Sequence, residues 1–379
     1  MVQAADPGKG VTDATHWTER AGALLAPMLY AAALEELGMR DVLRWVLDQD
    51  GGDAMKILDD HRERLPGRPL TDEEADLGRS LDQERARLAQ LTLLGIKKTE
   101  RREQSSIFSA LAGVLEAYRA EAALRATDRP NFDPQTFVAS RDTLYIVGPA
   151  DLQELVAPVI VGLLDDVRRT TYQHYHTHAA QGRRPFPVVF ALDEVANIAP
   201  LPNLPAMISE GGSQGAPVLA CLQDLSQARV RWGQAAEGFL SLFGAKLILP
   251  GIGDERTLNA VSTICGEWDR PVETHSTSQG PPPPGSWVKP APTVSRSVTT
   301  HRERVLSPSM VARGEPGTGL LLGDGGWQVV ELTPVWSHAP WTTVLEAAAH
   351  QGPWGQPLPD EEKASPDPAL APSNGRTPA

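Results

Sequence analysis

Through about residue 125 the apolar positions recur every three or four residues. Leu88, Leu91 and Leu94, then Ile107, Leu111, Val114, Leu115 and Tyr118, place one apolar stripe on each of several helices. Asp13 or Thr15 can cap a first helix that runs through Leu34, and Val42–Leu47 keeps the same period. Breaks fall at Asp48–Asp53, which carries two glycines, and at Leu65–Leu70. From Thr71 to Ala126 the intervening positions are rich in Arg and Glu, the composition of solvated helix faces. The pattern predicts a small all-α lobe.

From Asp142 the texture changes. Thr143–Val147, Pro187–Leu192, Pro217–Leu222 and Ala245–Leu249 are short apolar runs separated by helical stretches. Apolar strands alternating with helices predict α/β architecture, with a parallel sheet covered on both faces. Asp151 with Glu154 reads as a capping box opening a long helix, with Pro158 as a kink. Shorter helices are predicted over Leu204–Glu210, with Pro205 at its start, over Leu225–Phe243, and from an Asp254 cap to Cys265. Ser276–Pro292, containing Pro281–Pro284, reads as an extended loop. Gly319–Leu322 and Trp327–Leu332 read as a hairpin added to the sheet, and the sequence from about His350 as a disordered tail.

Composition narrows the function classes. The 379 residues carry 35 basic and 48 acidic side chains, a net charge of −13, so the surface as a whole repels phosphate. Any DNA contact has to come from a local groove. The two cysteines, Cys221 and Cys265, exclude a disulfide scaffold and a cysteine-based zinc module, and they suit a reducing cytoplasm. The longest uncharged apolar stretch, Ala21–Leu34, is 14 residues long and interrupted by Pro27. A membrane span needs about 20 residues, so no transmembrane segment is predicted.

The candidate chemistry gathers at two strand ends. Val188–Leu192 is followed by Asp193 and Glu194, and ligands of open α/β sheets bind at that carboxyl-terminal edge. In a nucleoside triphosphatase the first carboxylate orients Mg²⁺ through water and the second activates the attacking water. Pro217–Leu222 ends in Gln223, 30 residues after Asp193, about the length of a strand–helix–strand unit. An amide there can reach a γ-phosphate or the attacking water. Other features have plainer readings. His174, His176 and His178 fall on a helix where only His174 and His178 share a face, too few for a metal site. Arg229 and Arg231 could reach a neighbouring subunit's phosphate, and Trp232 could stack on a base. A solvated face for the arginines and a core position for the tryptophan are simpler.

With these residues in view, Leu192–Gly233 resembles the TraG/TraD-type coupling proteins of conjugation and type IV secretion. The matching positions are Asp193, Glu194, Asn197, Gln223, Ser226, Gln227 and Gly233; downstream Asp254, Thr257, Ser262 and Gly266 continue the similarity. The resemblance implies a RecA-like motor of the P-loop NTPase type, with an all-α lobe inserted near the N-terminus. Its implied organisation is a helix over 11–34 leading into the motor, the lobe over 35–128, the motor over 129–345 with its Pro-rich loop at 276–292, and a tail over 346–379. It implies ATP and Mg²⁺ as cofactors, Asp193 as the metal-side acid, Glu194 as the water-activating residue and Gln223 as the sensor. It also implies a relaxase–DNA complex or secretion-channel proteins as partners, a cytoplasmic location at the inner membrane face, and either a homo-hexamer or a missing N-terminal half.

One departure stands out. No G-x-x-x-x-G-K-[ST] occurs in the sequence, and Pro7–Gly10 lacks both the first glycine and the hydroxyl residue. Without that loop no backbone cradle or lysine grips the β- and γ-phosphates. The expectation is a C-terminal portion of a coupling-protein motor whose ATP hydrolysis alone is weak or absent. Two other classes compete: a non-enzymatic docking protein of a secretion or conjugation complex, and an FtsK/HerA-like DNA translocase. The Gln223–Gln227 block and the all-α insertion argue against the translocase.

Overall fold

The computed structural model describes residues 1–5, 14–63, 73–149, 151–278, 280, 292–323 and 325–349. Pro7–Gly10, Leu65–Leu70, Pro281–Pro284 and the tail from 350 lie outside these. The chain divides into two compact units, Met1–Phe243 and Gly244–Ala379.

In the first unit five helices share one core: α1 (Ala14–Leu34), α2 (Met39–Leu47), α3 (Gly52–Glu63), α4 (Glu73–Lys97) and α5 (Arg101–Val114). Leu24 and Met28 of α1, Val42 of α2, Leu58 of α3 and Ile107 and Leu111 of α5 are essentially inaccessible to water. Three-and-four spacing brought them to one side of each helix. Pro27 sits inside α1 without ending it. A second core forms around α6 (Gln153–Ala180), the strands β1 (Phe190–Leu192) and β2 (Val218–Ala220), and the helices α7 (Leu204–Glu210) and α8 (Leu225–Trp232). Ile160, Leu164 and Val167 of α6 pack with Phe190 and Leu192, which point to the same face of the sheet. The cap of α6 is Leu152, with no side-chain cap bond, rather than the predicted Asp151 box. The chain turns one residue later, where the Leu152 N–H meets the Pro149 carbonyl at 3.0 Å.

β1 and β2 are parallel, with Phe190, Ala191 and Leu192 opposite Val218, Leu219 and Ala220. The expected sheet of four parallel strands is corrected in two places. Residues 143–147 run without strand pairing, with Tyr145 83% and Val147 90% exposed. The strand β3 (Lys246–Ile248) lies in the second unit and pairs antiparallel with β6 (Thr318–Gly323). An apolar run records that a strand is buried, but not which neighbour it meets or in which direction. The helix predicted over Leu225–Phe243 is also broken, since Gly233 adopts φ +54° and the chain continues as a 3₁₀ turn and the short helix Phe239–Leu242. That left-handed value favours glycine.

In the second unit β6 also pairs with β7 (Gly326–Glu331), so the predicted terminal hairpin joins β3. Helix α9 (Glu255–Ile264) packs Leu258 and Val261 against Leu320 and Leu322. It is capped as expected, with Asp254 Oδ2 accepting from the Thr257 N–H at 2.9 Å. The remaining element contradicts the loop prediction at its near end. Strand β4 (Glu267–Ser278) pairs along its whole length with β5 (Thr293–Arg304), so 276–278 belong to a hairpin of twelve pairs. Cross-strand ion pairs join Arg270 to Glu303 and Arg296 to Glu273. At the base the Val305 N–H donates to the Gly266 carbonyl, and Arg304 reaches Asn259 Oδ1 at 2.9 Å.

Candidate nucleotide-side rim and its relatives

Parallel pairing of β1 and β2 puts the carboxyl-terminal ends of both strands at one edge. Cys221, just past β2, donates its N–H to the Leu192 carbonyl at 2.9 Å and returns its own carbonyl to the Val195 N–H at 3.3 Å. The two loops that leave the sheet are thereby stitched together. Asp193 and Glu194 leave on one side of this stitch and Gln223 on the other, all three exposed. The residues singled out from the sequence therefore share one rim.

Local geometry fixes each of them. Glu194 has φ +46°, a left-handed value uncommon for a residue with a Cβ, and such strain concentrates at functional sites. Its N–H is held by Asp193 Oδ1 at 3.0 Å, and its carbonyl accepts from the N–H groups of Asn197 and Ile198. The turn sits on Val195 and Ala196, both buried. Across the rim the Gln223 and Gln227 amides pair, Nε2 of Gln227 donating to Oε1 of Gln223 at 3.1 Å, while Gln227 Oε1 accepts from the Gln223 N–H at 3.3 Å. Asp224 caps α8 through the Ser226 N–H at 2.8 Å. Gln227, which entered only as part of a resemblance, thus sets the orientation of Gln223. The i, i+4 spacing of two glutamines at a helix start was the available signal.

Burial pushes the Cys221 thiol above its ordinary range, and the Asp193 carboxylate adds to the rise by disfavouring a second negative charge nearby. Thiolate is the reactive form, so Asp193→Asn lowers the pH at which Cys221 alkylates. At pH 8 labelling of Cys221 accelerates several-fold, while Cys265, 5% exposed, stays slow in both proteins. Equal Cys221 rates in the two proteins would separate the thiol from the acid.

Of the weaker candidates, Trp232 takes the core position and Arg229 is paired rather than solvated. Arg229 pairs with Glu237 at 3.4 Å and its side chain is 19% exposed, while Arg231 is exposed. Trp232 is buried, donating its indole N–H to the Leu201 carbonyl at 2.7 Å. The His174 and His178 rings lie 4.1 Å apart, and burial, then His178, lowers the His174 pKa. Among the described residues no group of three or more His, Cys, Asp or Glu could hold a metal. Among them also, no helix is long and apolar enough to cross a membrane.

Residues 187–315, which include both strand ends of the rim, match the family model described as the TraM recognition site of TraD and TraG. That segment is similar to the corresponding part of TraD and TraG. Solved structures of conjugative coupling proteins share the fold of the chain. The bacterial conjugative coupling protein TrwBdeltaN70, in its unbound monoclinic form, aligns with TM-score 0.55 at 18% identity, covering 88% of this chain and 67% of that one. The plasmid coupling protein TrwB with the ATP analogue ADPNP aligns at 0.54 and 19%, over 88% and 67%. TrwB with ADP and Mg²⁺ aligns at 0.53 and 19%, over 88% and 66%. The likeness shows the α/β fold of the RecA-like P-loop NTPase type, and the chain spans about two thirds of the length of these structures. No curated protein matches it significantly.

Proposed function

We propose that the chain serves as a coupling-protein module in conjugative DNA transfer. It recognises a relaxase–DNA complex or a secretion-channel protein and carries the metal side of a nucleotide site. The observation that carries this reading is the match over 187–315, a span that contains Asp193, Glu194 and Gln223. The matched family is described by its recognition of TraM, and TrwB has been solved with nucleotide and with Mg²⁺. Extending those properties to this chain is part of the proposal.

In this reading Asp193 would hold Mg²⁺ through water, Glu194 would activate the attacking water and Gln223 would act as the sensor of the terminal phosphate. Bound Mg²⁺–ATP supplies phosphoryl-transfer chemistry. The residues present fit the metal side of such a group and not its phosphate side, because the 379 residues include no phosphate-binding loop sequence. Docking is accordingly the leading activity, and the net charge of −13 favours protein partners over bare DNA.

Two measurements test this. Phosphate release by the purified chain with Mg²⁺–ATP is expected to stay at background. Turnover that Glu194→Gln abolishes would overturn the docking reading in favour of a working motor. In a conjugating donor, loss of the gene is expected to lower transfer, with Asp193→Ala restoring it as well as the original sequence does. Unchanged transfer on loss of the gene would remove the conjugative role altogether.

A further inference from the structure

The two-stranded sheet of the first unit is covered on one side only. Phe190 and Leu192 of β1, with Val218 and Ala220 of β2, pack into the core. Their neighbours project to the other side, where Val189 and Leu219 are each 61% exposed and Ala191 and Cys221 are exposed as well. Ala191 stands opposite Leu219 in the register, so these side chains make up one bare, uncharged face. Parallel strands are otherwise found with both faces covered.

The outer edge of β2 is bare too. The Gly215 and Pro217 carbonyls accept from Val188 and Phe190, and the Cys221 N–H donates to Leu192. A parallel ladder uses alternate residues, so the peptide groups of Val218, Ala220 and Leu222 point away from β1. None of the three has a partner among the described hydrogen bonds. The other described strands form sheets of their own, β3 with β6 and β7, and β4 with β5. Residues 140–146 share a groove with 186–193, on the β1 side rather than beside β2.

Edge, face and rim together fit one kind of occupant. A strand running parallel to β2 at this edge ends beside Gln223, so a loop leaving its carboxyl end reaches the rim. A helix after that loop returns across a face of the sheet, and the core face is already taken by Ile160, Leu164 and Val167 of α6. The bare face suits the apolar stripe of such a helix. Strand, glycine-rich loop and helix, in that order, are the parts of a phosphate-binding loop. That is the half of a nucleotide site for which the 379 residues hold no G-x-x-x-x-G-K-[ST].

We propose that a strand–loop–helix segment from outside these 379 residues completes the layer and, with it, a composite nucleotide site. Its strand adds parallel to β2, its G-x-x-x-x-G-K-[ST] loop meets the rim beside Gln223, and its helix covers Leu219 and Cys221. The inference rests on the reading of Asp193, Glu194 and Gln223 as the metal side of such a site.

The test is made in a conjugating donor, with the full chain carrying the photo-crosslinking residue p-benzoylphenylalanine in place of Leu219. Irradiation is expected to give an adduct whose attached peptide, read by mass spectrometry, lies in the helix directly after a G-x-x-x-x-G-K-[ST] sequence. Val189→Asp puts a charge on the same exposed face, where the fold tolerates it, and is expected to lower the adduct by about tenfold or more. In the complex isolated with the original sequence, Cys221 is expected to alkylate about tenfold more slowly than in the free chain, with Cys265 unchanged. The inference would be overturned by the absence of an adduct, by one that Val189→Asp leaves undiminished, or by equal Cys221 rates. An adduct to a relaxase or channel protein without the loop sequence would overturn it as well, while leaving the docking reading in place. Unchanged transfer on loss of the gene would remove that reading instead.

Discussion

Trp232→Ala is expected to cost about 3–5 kcal/mol of stability, the range for removing a large buried aromatic. Its indole lies between two parts of the first unit that are far apart in sequence. The N–H donates to the Leu201 carbonyl at 2.7 Å, and the ring meets Phe239 with centroids 5.3 Å apart. Phe239 is itself 1% exposed and sits on the short helix that follows the break at Gly233. Truncation therefore leaves a void among apolar side chains, and the Leu201 carbonyl keeps only the Leu204 N–H, at 3.1 Å. In a unit of this size each kcal/mol moves the melting temperature by about 2–4 °C, so a fall of about 10 °C is the expected reading. Trp232→Phe keeps the ring contact and loses the hydrogen bond, and should cost roughly 1–2 kcal/mol. A loss under about 1 kcal/mol for the alanine variant would show that the indole is not a core residue.

Gly211→Ala is expected to be comparably damaging for a different reason. A Cβ at Gly211 lands on the carbonyl oxygens of Met207 and Ala216, both backbone atoms that cannot swing aside. Those atoms belong to the turn itself. The Gly211 N–H donates to Met207, and the Gly211 carbonyl accepts from Ala216 at 2.7 Å. Four residues on, Gly215 combines φ +77° with a Cβ direction blocked by the Tyr175 ring of α6. The turn 211–215 delivers the chain into β2, so displacing it shifts Gln223 relative to Asp193. The expected cost is about 3 kcal/mol or more by urea denaturation, together with faster Cys221 labelling as the stitch to Leu192 loosens. A variant with an unchanged midpoint would mean that the turn relaxes at little cost.

How much of this was legible beforehand varies element by element. The helices α1 to α3 and α5 follow from the period of their apolar residues, because a helix with one apolar stripe has one way to bury it; in α4 the expected Leu88 and Leu91 are exposed and Ala86, Leu93 and Ile96 are buried instead. The Asp254 cap of α9 and the Pro205 start of α7 were likewise local matters. The acid pair and the glutamine were legible as a rim because each closes an apolar run at a spacing that fits parallel strands. The β4–β5 hairpin escaped notice, since its strands are exposed on both faces and lack the apolar alternation that betrays a half-buried strand. Only the Thr, Val and Ser richness of 293–300 hinted at it. The pairing of β3 escaped for a related reason, as its apolar run is equally compatible with a parallel or an antiparallel neighbour. Nothing local separates residues 143–147 from a paired strand either; their backbone stays open because no neighbour in the described structure meets it.

The sequence by itself determined most of the helical segments and where the carboxylates and amide stand relative to their strands. These are properties of neighbours along the chain, set by periodicity, capping and side-chain chemistry within a few residues. The tertiary structure alone decided that Cys221 ties the two strand ends together, that Trp232 is committed to the core, and that β3 turns to meet β6. Each of those depends on groups tens of residues apart competing for the same hydrogen bonds and the same apolar contacts, and that competition is settled only when the chain is packed.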